Sequence, residues 1–84
     1  MNSESIEKFI ETAKGKNKEI GIHFKTRPVV KGFFLTESLD YREMKAKNFW
    51  RVIPGSRMEE YSKRKDLSLT RLFNGAEFSK LTQD

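Results

Sequence analysis

Two neighbouring stretches of the chain have a strand-like pattern, which restricts the fold more than any other feature of the sequence. Residues 20–25 read Ile-Gly-Ile-His-Phe-Lys, so every second side chain is apolar, as in a half-buried strand. Residues 29–36 are rich in β-branched and aromatic types, which favour a second strand. Gly32, in the middle of this stretch, predicts a bend, a bulge or the close approach of another backbone. The chain is therefore expected to be mainly β.

A short amphipathic helix is predicted before the first strand, over residues 4–14. Its apolar stripe has the spacing i, i+3, i+4 and i+7 and consists of Ile6, Phe9, Ile10 and Ala13. Ser3 or Ser5 is expected to cap the start of this helix, and Gly15 to close it. The helix then leads through a basic turn to the first strand.

The middle of the chain contains a third strand and a short helical insert. Residues 48–53 (Asn-Phe-Trp-Arg-Val-Ile) predict the strand, and Pro54-Gly55 is expected to stop it. Residues 38–47, which precede it, are compatible with a turn of helix or with a long twisted connection. Ser56 and Glu59 have the spacing of a capping box and predict a helix over residues 56–63.

The C-terminal part is expected to form a tight hairpin. Residues 67–73 alternate in a fourth strand, and residues 78–82 form a fifth. Between them lies Asn74-Gly75, the pair typical of a two-residue hairpin turn with φ > 0. The predicted architecture is one domain over residues 1–84, with a helix in 1–14 and a five-stranded, strongly bent sheet or small barrel in 19–82.

The composition indicates a small folded domain that associates with itself. Only 36% of the 84 residues are hydrophobic, yet seven Phe, two Tyr and one Trp are present. A disordered chain would carry fewer rings. Because so small a chain buries little surface on its own, self-association is expected to add to its apolar burial.

Charge and cysteine content indicate where the protein works and what it contacts. The chain carries a net charge of +5 and has no cysteine. Residues 14–31 alone sum to +5, since six Lys and Arg oppose one Glu. No signal peptide or membrane-span pattern is present, so a cytoplasmic location without membrane contact is expected. The basic excess suits a polyanionic partner, although a solvated surface explains it equally well.

Patterns typical of enzymes are missing from the sequence. His23 is the only histidine and cysteine is absent, so the sequence offers few residues for a metal site or a catalytic triad. The Lys- and Gly-containing residues 13–19 lack the frame of a phosphate-binding P-loop. The chain is therefore expected to be a binding domain without catalytic residues, metal or cofactor.

The order of elements resembles that of the Sm-like family, which includes the bacterial Hfq proteins. The first Sm motif is similar to Val30–Phe34 with Gly32 at its centre, followed by Asp40 as the loop acid and by residues 48–53 as the third strand. The second motif is similar to residues 73–78, with Asn74 where the family often has Arg. This resemblance implies an N-terminal helix before a five-stranded, strongly bent sheet, a homo-oligomer, and binding of RNA.

Rings and cations suggest where single-stranded RNA would bind, because bases stack on rings while cations follow the phosphates. The predicted RNA-binding residues are Lys45, Lys47, Trp50, Arg51, Lys63, Arg64, Lys65 and Asn74. Trp50 is alternatively a core or interface residue, because neighbours in a strand face opposite sides. The cluster 63–65 is alternatively a solvated loop. A protein-interaction domain without nucleic-acid function is the competing hypothesis.

Overall fold

The computed structural model describes residues 1–12 and 18–83 of the chain. Helix α1, Ser3–Glu11, buries Ile6 and Ile10. Asn2, and neither predicted serine, caps this helix, because Asn2 Oδ1 accepts a hydrogen bond from Ser5 N at 2.8 Å. The N-terminal helix is thus confirmed but ends at Glu11. The end predicted at residues 13–15 lies outside the described residues.

The described residues form five strands in one antiparallel sheet. The strands are β1 (Ile20–Phe24), β2 (Val30–Phe34), β3 (Phe49–Pro54), β4 (Arg71–Asn74) and β5 (Phe78–Gln83). Their order across the sheet is β4-β3-β2-β1-β5, with every neighbouring pair antiparallel. The predicted first, second, third and fifth strands are confirmed to within two residues at each end.

The sheet bends but is not closed. β4 and β5 are its two edges, and the three-residue 3₁₀ turn Gly75–Glu77 alone connects them. In a flat sheet the four gaps between five strands would hold these edges about 19 Å apart. The step from Asn74 to Phe78 spans at most about 14 Å. The sheet must therefore curl, but β4 and β5 do not pair with each other, so the predicted barrel is not confirmed.

The predicted hairpin at Asn74-Gly75 is wrong. β5 pairs with β1, and no described glycine has a positive φ. Asn74 Oδ1 accepts a hydrogen bond from Ala76 N at 2.9 Å, which starts the 3₁₀ turn in place of a reversal. Gly75 is required for another reason: a Cβ there would lie 2.5 Å from Ile6 Cδ1 and would also collide with the Asn48 side chain.

Residues 38–47 adopt the helical alternative, with helix α2 at Tyr41–Ala46. Asn48 ends this helix: its φ of 63° is left-handed, and Asn48 N donates to Lys45 O at 2.9 Å. Asn48 then joins three parts of the fold, two through its side chain and one through its backbone carbonyl. Its Oδ1 accepts from Trp50 Nε1 at 2.9 Å, and its Nδ2 donates to Met1 O at 3.1 Å. Asn48 O accepts from Gly75 N at 2.8 Å.

The predicted helical insert after β3 is confirmed, but the predicted capping box is not. A 3₁₀ turn, Gly55–Arg57, leads directly into helix α3, Met58–Arg64, and Met58 N already donates to Gly55 O. No side chain caps α3, so the predicted capping box of Ser56 does not form. None of the helices in the described part of the chain is sufficiently long and apolar to cross a membrane.

The predicted fourth strand is confirmed only at its C-terminal end. Residues 67–69 form a 3₁₀ turn and β4 begins at Arg71. The turn forms because Asp66 Oδ1 accepts a hydrogen bond from Ser68 N at 2.9 Å, which draws the backbone away from an extended conformation.

Both faces of the sheet bury apolar side chains. The larger cluster, under α1, contains Ile6, Ile10, Ile20, Ile22, Phe24, Trp50, Val52, Phe73, Phe78 and Leu81. The smaller cluster, under α3, contains Leu35, Ile53 and Tyr61. We call the α1 side the inner face and the other side the outer face. Gly32 lets β2 and β3 approach closely, since a Cβ there would lie 2.6 Å from Ile53 O.

Candidate nucleic-acid interface

The predicted RNA-binding residues of α2 and β3 are held by other parts of the fold. Trp50 is 1% exposed and belongs to the inner core, so it offers no ring face to a base. Lys45 pairs with Glu7 of α1, and Arg51 Nη2 lies 2.7 Å from Asp40 Oδ2. The core alternative for Trp50 is therefore the one the fold adopts.

These ion pairs connect α2 and the residue before it to α1 and β3. The hydrogen bond to Glu7 raises the pKa of Lys45 above its ordinary value. The hydrogen bond from Arg51 lowers the pKa of Asp40, so this carboxylate stays ionised beside its partner. Lys47 follows the last residue of α2, is exposed, and lies 3.5 Å from Glu43 of that helix. The first predicted cluster thus consists mainly of residues that position α2.

The second predicted cluster, residues 63–65, also contains residues that are paired within the fold. Lys63 lies 3.7 Å from Glu59, and Arg64 lies 3.1 Å from Glu60, both as pairs along α3. Lys65 differs from them, because its ammonium lies 5.4 Å from the centre of the Tyr61 ring. Its φ of 52° is a left-handed conformation that costs a Lys about 1 kcal/mol or more, and it ends α3 there. Asn74, the last predicted residue, starts the Gly75–Glu77 turn.

A cleft of about 230 Å³ lies where Lys65 meets the outer face of the sheet. Its aromatic lining residues are Phe33 and Phe34 of β2 and Tyr61 of α3, and its cations are Lys18 and Lys65. Phe33 is half-buried, whereas Tyr61 is 8% exposed. Glu37 is the one carboxylate among the described residues that line it. We call this the Phe33 cleft.

The outer face continues from the Phe33 cleft across β2, β1 and β5. Lys31 lies two residues before Phe33 on the same face, and its register partner on β1 is Gly21, which has no side chain. His23 follows Gly21 on this face and has Lys80 of β5 as its register partner. His23 Nε2 lies 3.1 Å from Thr82 Oγ1, which fixes the ring against β5.

The described residues place four lysines on or beside this part of the outer face. They are Lys18, Lys31, Lys65 and Lys80, with Glu37 as the acid of the cleft. Lys18, Lys31, Lys65 and Lys80 are exposed. We call these four lysines with Phe33 the outer-face set. Such a surface attracts a polyanion and offers one half-exposed ring beside it.

Sequence reasoning identified Lys65 of this set and missed the other four residues. A usable signal was present, because residues 14–31 carry much of the positive charge and include Lys18 and Lys31. The alternation of β2 also puts Lys31 and Phe33 on one side. Whether that side faced solvent depended on where α3 packs, which no local pattern reveals.

The described residues contain no group of His, Cys, Asp or Glu that could hold a metal ion. Comparisons of the chain with protein-family models, with curated proteins and with solved structures find no match.

Proposed function

We propose that this chain is a non-enzymatic binding domain that holds single-stranded RNA on the outer face of its sheet. The observation that carries the proposal is the Phe33 cleft, which the half-buried Phe33 lines together with Lys18 and Lys65. Stacking of a base on a ring with cations along the backbone is the general way in which single strands are bound.

The size of the cleft favours one flat group with the remainder of the ligand outside. Pockets for whole drug-sized ligands measure about 300–1,000 Å³, and the Phe33 cleft is smaller, at about 230 Å³. A base on Phe33 would leave its phosphates over the exposed Lys31 and Lys80. Gly21 between the strands carrying them leaves a flat strip for a sugar–phosphate backbone.

The resemblance to the Sm-like family supports an RNA-associated role at the level of architecture. An N-terminal helix before five strands in a strongly bent sheet is the arrangement that the resemblance implies. Asp40, the loop acid of the first Sm motif, is paired with Arg51. Its carboxylate is thus engaged within the fold, and we place the base at Phe33 on the outer face instead.

The unpaired edges of the sheet support a homo-oligomer. β4 and β5 each have one edge without a strand partner among the described residues. Leu72, in the middle of β4, is 46% exposed, which is unusual for a large apolar side chain on an edge strand. Pairing of β4 in one copy with β5 in the next would satisfy both edges and cover Leu72.

The test is the salt dependence of binding to a short single-stranded RNA. Replacing Lys18, Lys65 and Lys80 by Gln should weaken binding and reduce the slope of log affinity against log salt by up to about two, at about 0.7 per lost phosphate contact. Phe33→Ala should cost about 1–3 kcal/mol of binding and leave that slope unchanged.

The matched control removes three cations that lie elsewhere, on α1 and α2. Replacing Lys8, Arg42 and Lys47 by Gln changes the net charge equally and should leave the salt slope near that of the parent. Equal losses in both triple variants would refute a site on the outer face. No salt-sensitive affinity up to about 100 μM, the weak end of non-specific binding, would refute RNA binding and favour the protein-partner hypothesis.

A further inference from the structure

A second hollow, of about 510 Å³, opens where β4 begins and lies apart from the Phe33 cleft. Its walls come from the 3₁₀ turns at residues 55–57 and 67–69 and from the first residue of β4. The polar lining residues are Ser56, Arg57, Ser68, Thr70 and Arg71, and no carboxylate lines it among the described residues. We call it the Arg57–Arg71 hollow.

Arg71 supplies a positive charge that no described residue neutralises. Its side chain is exposed, and it makes neither an ion pair nor a hydrogen bond within the described part of the chain. Its backbone is fixed in the sheet opposite Val52 of β3, so the base of the side chain is held in place. An unpaired guanidinium at the mouth of a concave site is suited to an anion.

Arg57 contributes a second guanidinium whose donors are mostly unused. Its Nη1 donates to Glu60 Oε1 at 3.2 Å, and no other bond engages its remaining N–H groups in the described residues. Glu60 is shared, since its Oε2 accepts from Arg64 at 3.1 Å. The Ser56 hydroxyl beside Arg57 likewise has no partner among the residues described.

The remaining acid near the hollow is also engaged. Asp66 accepts a hydrogen bond from Ser68 N, which lowers the pKa of this carboxyl, and it lies 3.6 Å from Arg64. Glu60 is thus paired with both Arg57 and Arg64, and Asp66 is paired with Arg64. No carboxylate of the described residues lines the hollow, so Arg71 and the remaining N–H donors of Arg57 are open to an anion there.

We propose that the Arg57–Arg71 hollow binds a phosphate monoester. Two guanidinium forks match the oxygens of a phosphate, which carries about −1.5 to −2 charges at pH 7. The Ser56 hydroxyl would donate a further hydrogen bond. The ligand is a free mononucleotide or the 5′-phosphate end of an RNA, and this site does not depend on RNA binding at Phe33.

The test is a titration of the full chain, followed by amide chemical shifts in two-dimensional NMR at constant ionic strength. Inorganic phosphate and adenosine 5′-monophosphate should give saturable shifts at Ser56, Ser68 and Arg71, whereas adenosine should not. Arg71→Gln should weaken both phosphate ligands by about tenfold or more, the loss of a charge-assisted hydrogen bond. Arg42→Gln, an exposed arginine of α2, is the matched control and should bind like the parent.

Arg57→Gln gives a second test that does not disturb the sheet, and an unchanged amide spectrum of either variant shows that it is folded. Unsaturable shifts spread over all exposed cations, equal binding of adenosine, or full affinity in both variants would overturn the proposal. An RNA with a 5′-phosphate that binds tighter than both its 5′-hydroxyl form and the mononucleotide identifies an RNA end. Equal affinity of mononucleotide and phosphorylated RNA identifies a free nucleotide.

Phe33→Ala separates this proposal from the proposed RNA site, since it should leave phosphate binding unchanged. Failure of the phosphate titration with intact salt-sensitive RNA binding would therefore refute the hollow alone.

Discussion

Replacing Asn48 tests whether its side chain holds Met1 and Trp50 of β3 together. Trp50 Nε1 donates to Asn48 Oδ1 at 2.9 Å, and Trp50 is almost fully buried. Asn48 also holds a φ of 63°, which Asn tolerates better than most residues. Asn48→Ala removes the acceptor and puts a less tolerant residue in the left-handed conformation.

The expected loss follows from these two contributions. A buried indole N–H without an acceptor costs about 1–3 kcal/mol. A left-handed conformation costs an L-residue about 1–2 kcal/mol, of which Ala would bear more than Asn. Asn48→Ala should therefore lose about 2–4 kcal/mol, a large share of the roughly 4–13 kcal/mol expected for 84 residues. Asn48→Gly also removes the acceptor, but glycine adopts φ > 0 without steric strain. Asn48→Gly should therefore be about 1 kcal/mol more stable than Asn48→Ala.

Urea unfolding followed by the fluorescence of the single Trp measures both values. With an m value of about 1 kcal/mol/M, the midpoint of Asn48→Ala should fall by about 2 M or more. A free energy of unfolding of Asn48→Ala within about 0.5 kcal/mol of that of the parent would show that the Asn48 side chain contributes little to stability. Asn48→Gly less stable than Asn48→Ala would refute the backbone contribution.

Three further predictions concern other positions. Gly75→Ala should lose about 1–3 kcal/mol in the same urea assay because its Cβ would collide with Ile6 and Asn48; an unchanged midpoint would contradict this packing. Since the pKa of Asp40 is lowered by Arg51, the unfolded chain binds more protons near and below pH 4, and stability should fall as the pH falls through this range. Asp40→Asn should flatten that dependence in unfolding measured against pH, and an unchanged profile would count against the pair. Leu72→Lys should shift the sedimentation of an oligomer towards the monomer by charging the β4 edge, whereas an unaltered size would place the interface elsewhere.

The parts of the fold that sequence patterns predicted are those fixed by neighbours in the chain. β1 follows from the alternation of Ile20, Ile22 and Phe24, and α1 from a stripe at helical spacing. The close backbone approach at Gly32 also followed from its position in a strand. Each of these signals lies within a few residues of the structure it specifies, so no knowledge of the distant chain was needed.

The incorrect hairpin prediction shows that local patterns do not predict which strands pair. Asn74-Gly75 indicates a change of direction, and the structure has one, but the residues cannot specify which strand receives the chain afterwards. β5 crosses to β1, where Phe78 packs against Phe24 with ring centres 5.3 Å apart. That choice depends on apolar partners more than fifty residues away in sequence. The pairing of β5 with β1 therefore determines the conformation of the turn, and the turn residues do not determine the pairing.

The same limit explains why sequence patterns favoured Trp50 over Phe33 for the site. In a strand with one buried face, parity would separate core from surface, and Trp50 and Ile53 would point to opposite sides. Here both are buried, because α1 covers the inner face and α3 covers the outer face at Ile53. Alternation therefore carries no information about exposure in β3. Phe33 shares the outer face with Ile53 but lies at the margin of the layer that α3 covers, where it stays half-exposed beside Lys18 and Lys65. Lys65, which follows the last residue of α3, is the one predicted site residue that lines the Phe33 cleft.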